Sequence, residues 1–159
     1  MQEKPTISPL THSEALSEVP IWLDNFVDIY QSLSTDNLAN ITKLYHQDIS
    51  FQDPLHRING LNNLVEYFDN LYQNVGECTF VINQILHERH QAAIYWTMTY
   101  SHKHLKGGKA ISVEGSSLIM GTQDKVIYHR DYIDVGQMLY EHVPVLGGII
   151  RWLKRRASK

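Results

Sequence analysis

Cys78-Thr79-Phe80-Val81-Ile82 decides the fold, because there the hydrophobic period of the chain changes from helical to two. Cys78, Phe80 and Ile82 alternate, as side chains do on one face of a strand. Further on, Ala92 to Tyr100 is rich in β-branched and aromatic residues, and Gly107-Gly108 is a hairpin signal. Ile111 to Met120 and Val126 to Ile133 predict two more strands, joined by a turn over 121–125. Working back from Cys78, the periodicity is helical. Trp22, Phe26, Ile29, Tyr30 and Leu33 form one stripe behind Pro20, whose missing N–H suits a first helical turn. Leu38, Ile41, Leu44 and Tyr45 predict a second, short helix, and Leu61, Leu64, Val65, Phe68, Leu71 and Tyr72 a third that ends at Gly76. Between them Ile49-Ser50-Phe51-Gln52-Asp53-Pro54 reads as a short strand ending in a proline turn. Helices first and long antiparallel strands after give the α+β class.

The bulk numbers set bounds. A chain of 159 residues fits one domain with a real core. No apolar run approaches the roughly 20 residues of a membrane span, and no secretory signal opens the chain, so the cytoplasm is expected. A single cysteine, Cys78, excludes an internal disulfide and a cysteine zinc cluster. The net charge of −3 is unevenly spread. Residues 151–159 hold Arg151, Lys154, Arg155, Arg156 and Lys159 without an acid, so the first 150 carry 9 Lys and Arg against 17 Asp and Glu. An acidic body argues against a nucleic-acid partner. Three regions follow: a mobile arm over 1–19, a folded domain over 20–136 and a basic helical extension over 137–159.

Three stretches in order carry a family resemblance. They are Asp36-Asn37-Leu38 with Leu44-Tyr45-His46-Gln47-Asp48; Phe51-Gln52-Asp53-Pro54 followed by Gly60-Leu61; and Tyr128-His129-Arg130-Asp131-Tyr132-Ile133-Asp134. Together they resemble the SnoaL-like branch of the nuclear transport factor two-like superfamily. The resemblance implies a cone, in which a curved antiparallel sheet wraps around N-terminal helices and encloses a cavity, followed here by a C-terminal helix. Many members are homodimers through the outer sheet face. The group includes ketosteroid isomerases, epoxide hydrolases, polyketide cyclases and plain binding modules, so the fold alone does not give the function.

Against the isomerases, Asp53 matches the general base, and a carboxylate in an apolar pocket is a stronger base for its desolvation. The same Asp53 also reads as an Asp-Pro turn former. Tyr30 lies near the tyrosine that donates to a developing oxyanion; an aromatic on an amphipathic helix is equally a core residue. The second oxyanion donor of that pattern is an acid, where Glu114-Gly115-Ser116-Ser117-Leu118 offers Ser116. Against the limonene-type epoxide hydrolases, His129-Arg130-Asp131 resembles a Trp-Arg-Asp run, Asp53 replaces an asparagine and Phe51 a tyrosine. The Arg-x-Asp pair of that mechanism is absent from Tyr95-Trp96-Thr97-Met98-Thr99. What remains is an expected cluster of Asp53, His129 and Asp131, as an acid–base unit or as a buried polar network. Phe51, Phe68, Trp96, Met98 and Tyr100 are expected to line the pocket or to fill core.

Nine histidines raise a metal site, with His87 and His90 near one turn and His102 and His104 near another, but no carboxylate completes either pair. No metal or cofactor is expected. The basic extension, with Val145, Ile149, Ile150, Trp152 and Leu153 among its cations, reads as a lid or partner-packing helix, or as one lying on anionic lipid. Three functions remain open: an acid–base enzyme acting on a small apolar molecule, a non-catalytic binding module for such a molecule, and an interaction protein working through the outer sheet face.

Overall fold

Pro20 accepts from the backbone N–H groups of Leu23 and Asp24 and so opens α1 (Ile21–Gln31), whose apolar stripe buries Trp22, Leu23, Phe26 and Tyr30. This computed structural model describes residues 18–34 and 36–158. The arm expected over 1–19 lies outside the described residues except for Glu18 and Val19. A 3-10 turn (Leu38–Asn40) leads into α2 (Ile41–Leu44) and directly into β1 (Tyr45–Gln52). Tyr45, expected on the second helix, is therefore the first strand residue. Its backbone is extended, and it shares strand parity with buried Ile49 and Phe51.

The short β2 (Arg57–Asn59) pairs back on β1, and Gly60 turns the chain into α3 (Leu61–Tyr72) with φ of 86°, a left-handed value that favours glycine. Three long strands follow, β3 (Val75–His87), β4 (Gln91–His102) and β5 (Ile111–Thr122), and then β6 (Lys125–Ile133). Gly76, expected to close the third helix, lies inside β3, because that helix already ends at Tyr72.

The six strands form one curved, unclosed sheet in the order β2-β1-β6-β5-β4-β3. The sheet is mixed rather than wholly antiparallel: β1 runs parallel to β6, with Phe51 opposite His129 and Gln52 opposite Arg130. Register shifts interrupt β1 with β6, β3 with β4 and β5 with β6. Such irregularities bend a strand and increase its local twist. The inner face carries Ile49, Phe51, Ile94, Trp96, Ile119 and Val126, packed on α1 and α3 as one core. Burying each such side chain contributes about 1.5–3 kcal/mol. The outer face leaves Val81, Leu86, Tyr95 and Tyr132 exposed.

After β6 come α4 (Val135–Met138), a 3-10 turn (Tyr140–His142) and α5 (Leu146–Ala157). The Asp134 side chain caps α4 by accepting from the Gln137 N–H. Tyr100, expected in the pocket, belongs to a second small core with Cys78, Leu105 and Ile111, and its hydroxyl donates to the Met138 carbonyl at 2.5 Å. The sheet end is thereby fastened to α4. Among the described residues no helix is long and apolar enough to cross a membrane.

Candidate functional site

Neighbouring strands bring the polar residues together by register. Ser117 on β5 stands opposite Asp131 on β6, and Ile119 opposite His129. His129 and Asp131 are two apart on one strand and so share the inner face. His129 Nε2 lies 2.7 Å from Asp131 Oδ1, and the Ser117 hydroxyl donates to the same oxygen at 2.5 Å. Ser117 in turn accepts from the Trp96 indole N–H at 2.8 Å. That reach needs Gly115. A Cβ there would sit 2.3 Å from Trp96 Cη2, so only glycine leaves room for the indole to lie across β5.

On its other side His129 Nδ1 meets the Tyr45 hydroxyl at 2.6 Å, and Tyr45 meets the Tyr30 hydroxyl at 2.7 Å. With a neutral His129 imidazole and Asp131 as acceptor, the network runs in one direction. Tyr30 donates to Tyr45, Tyr45 to His129 Nδ1, and His129 Nε2–H to Asp131. Burial drives the pKa of both phenols well up, so both remain donors. Phe26 and Phe51 close edge-on over the imidazole at 5.5 and 5.1 Å. His129 is 1% exposed and does not reach the cavity. It backs Asp131 and does not itself face a ligand.

Asp53 stands apart from this chain. Its Oδ1 accepts from the backbone N–H groups of Leu55 and His56, each at 2.7 Å, and its Oδ2 takes a short hydrogen bond from the Tyr67 hydroxyl. Asp53 therefore shapes the proline turn and also lines the cavity. Burial, then the bond to Asp53, raises the Tyr67 pKa far above that of an ordinary phenol. The expected three-residue cluster is thus two separate groups, because Asp53 hydrogen-bonds α3 and its own turn rather than β6.

Both groups border one cavity of about 120 Å³, walled by Phe26, Tyr30, Phe51, Phe68, Trp96 and Met98 among others. It is of the order of the ~150 Å³ hollow that admits a benzene ring in a well-studied case. Asp53 and Asp131 are its acidic lining residues, and among the described residues no Lys or Arg lines it beside them. Asp131 spends Oδ1 on two donors, which leaves Oδ2 for whatever enters.

Two expectations need correction. Ser116 does not line the cavity: it pairs with Tyr95 and Tyr132 and points to the outer face, and Ser117 holds the inward place. Tyr30 does line the cavity, but its hydroxyl is taken by Tyr45 instead of standing free for an oxyanion. The sequence reading missed Tyr45, Ser117 and Tyr67. The parity of Tyr45 with Ile49 and Phe51 was the available signal for the first. Tyr67 lies off the α3 stripe and carries no such mark. Among the described residues no three His, Cys, Asp or Glu side chains are grouped to hold a metal ion. His102 and His104 stack edge-on at the exposed β4 end.

Comparison with solved structures shows the same fold at low identity. An LEH-like epoxide hydrolase of Mycobacterium tuberculosis superposes with a TM-score of 0.64 at 15% identity, over 76% of this chain and 86% of that one. A nuclear transport factor two-like protein of unknown function from Burkholderia pseudomallei gives 0.67 at 8%, over 76% and 96%. A protein of ketosteroid isomerase-like fold from Catenulispora acidiphila, solved with trimethylamine, gives 0.65 at 11%, over 76% and 91%. No curated protein matches the sequence. A family model describing a SnoaL-like domain matches residues 26–129. With well over half of its length matched, the chain belongs to the SnoaL-like domain family.

Proposed function

We propose that the cone pocket binds a small, ring-sized apolar molecule that is not an anion, and that Asp131 moves a proton on it. One observation carries this reading: a buried line of donors from Tyr30 through Tyr45 and His129 ends on Asp131 Oδ1, leaving Oδ2 for an apolar hollow. Fixed donors hold the carboxylate in place and aim its free oxygen at the apolar walls, the pre-organised geometry that proton transfer to a positioned base needs. A carboxylate or phosphate ligand would meet Asp53 and Asp131 with no lining cation among the described residues to offset them. A neutral ligand with an acidic C–H or O–H beside a polar oxygen suits them. Asp131 takes that proton, and the Asp53–Tyr67 pair gives the ligand a second polar contact.

Deuterium incorporation from D2O into single-ring neutral ketones, followed by NMR, tests the chemistry. The expected result is exchange by the wild type that Asp131→Asn abolishes while thermal-shift binding persists. Exchange that is equal in both proteins would end the proposal.

A second reading is binding without turnover. It is favoured by the inner face of β4, where Trp96 and Met98 stand in place of a charged pair. Ligand retention in native mass spectrometry, with no exchange on any ketone, would select it.

A further inference from the structure

We infer that α5 docks this protein on an anionic lipid surface. The inference is independent of the pocket chemistry. An amphipathic helix of a water-soluble domain turns its apolar side to the core. Here the polar side is turned inward. Lys154 bonds Glu141 and lies 3.6 Å from Asp134, and Arg151 Nη1 donates to the Glu141 carbonyl at 2.9 Å. Gly147 is the buried residue of the helix, and a Cβ there would meet the Glu141 carbonyl oxygen at 2.2 Å. Glycine therefore lets this edge lie close on the Tyr140–His142 turn.

Of the apolar residues Ile150 is half-buried, and the others are left outside. Leu146, Ile149, Trp152 and Leu153 are exposed, the last three by about half, and Val145 just ahead of them is 81% exposed. Val145 also holds φ at 68°, a costly value for a β-branched residue, which sharpens the turn that presents the helix. Among the described residues nothing covers this stripe.

Charge decides which occupant fits. α5 has no acid and carries Arg151, Lys154, Arg155 and Arg156, while the first 150 residues carry an excess of acids. Arg155 and Arg156 form no ion pair among the described residues, and Arg156 lies over the Trp152 ring at 5.4 Å. A negatively charged bilayer attracts this helix and repels the acidic body, so the molecule approaches helix first. Trp152 beside Arg156 suits the headgroup level, where an indole is half wet and an arginine stem lies along apolar surface. Twelve residues are too few to span a bilayer, so α5 lies in the interface plane.

The test uses the full chain, vesicles of phosphatidylcholine alone or with 30% phosphatidylglycerol, flotation, and sedimentation velocity without lipid. At low salt, wild-type binding should rise at least about tenfold with the anionic lipid. It should fall in 0.5 M salt. Ile149→Glu with Leu153→Glu, and separately Arg155→Glu with Arg156→Glu, should each remove it without lowering Tm, since all four side chains are exposed. Wild-type tryptophan emission should shift to the blue on binding, and Trp152→Phe should lose that shift, because Trp22 and Trp96 are buried. Failure of the wild type to float, or flotation unchanged in Ile149→Glu with Leu153→Glu, overturns the inference. A wild-type dimer that the same double variant converts to monomer also overturns it, assigning the stripe to a second copy of the chain.

Discussion

Replacing Tyr45 by phenylalanine removes one oxygen and strands two neighbours. Tyr30 loses the acceptor for its hydroxyl, and His129 loses the donor to Nδ1, both buried. A buried polar group left without a partner costs about 1–3 kcal/mol, so Tyr45→Phe, which strands two, should destabilise by roughly 2–6 kcal/mol. Tyr30→Phe is milder. Tyr45 keeps its bond to His129 and only an acceptor position falls vacant, a loss of about 1 kcal/mol. The double variant removes the Tyr30 hydroxyl that Tyr45→Phe would strand, so it should be more stable than Tyr45→Phe alone. Urea unfolding followed by tryptophan fluorescence measures all three, with equal m values required for the comparison. Losses that simply add, or a Tyr30→Phe cost above that of Tyr45→Phe, would refute the directed chain of donors.

Gly115→Ala should lower stability by about 1–3 kcal/mol through overpacking and push the Trp96 indole from its bond to Ser117. The fall in Tm and a changed indole N–H resonance would show it; an unchanged resonance would contradict the close approach. The docking of α5 should depend on pH at both ends. The Gln137 N–H, then Lys154, hold the Asp134 carboxyl below its ordinary value, so its contribution is present above about pH 4 and is lost as pH falls through its lowered folded value. The Glu141 bond raises the Lys154 pKa, so that contribution is complete below about pH 10 and fades as pH rises further. Relaxation of the Trp152 indole N–H should stay constant between pH 5 and 9 and report a loosened helix at pH 2.5. Loosening near pH 6 would deny Asp134 this role.

The change of period at Cys78 made the α+β class legible, because side-chain alternation is local to a strand. The parallel pairing of β1 with β6 was not legible, since no residue near Phe51 encodes that its neighbour is His129. Ser116 and Ser117 show how a one-residue choice fails. The alternation of Ile111 and Val113 with Ser112 and Glu114 marked Ser117 as the inward serine, but the family alignment pointed to Ser116, and a shift of one reverses the face. His129 and Asp131 were found from the resemblance of His129-Arg130-Asp131 to a Trp-Arg-Asp run, and a spacing of two puts both on one strand face. Asp53 was placed at the cavity wall, yet its partner Tyr67 comes from α3, whose approach depends on how that helix packs against β1. Tyr45 continued the i, i+4 stripe from Ile41, so helical periodicity claimed it although strand parity fitted as well.

The parallel pairing bears on the order in which the chain can settle during synthesis. β1 leaves the ribosome early, but the strand that completes its hydrogen bonding begins only at Lys125. At about 5–20 residues per second the intervening stretch takes roughly 4 to 14 s to emerge. Through that interval β1 has only the three-residue β2 beside it, and Tyr45 has no imidazole to meet. A nascent chain stalled before Lys125 therefore presents an open strand flank to chaperones and to its neighbours on the same message.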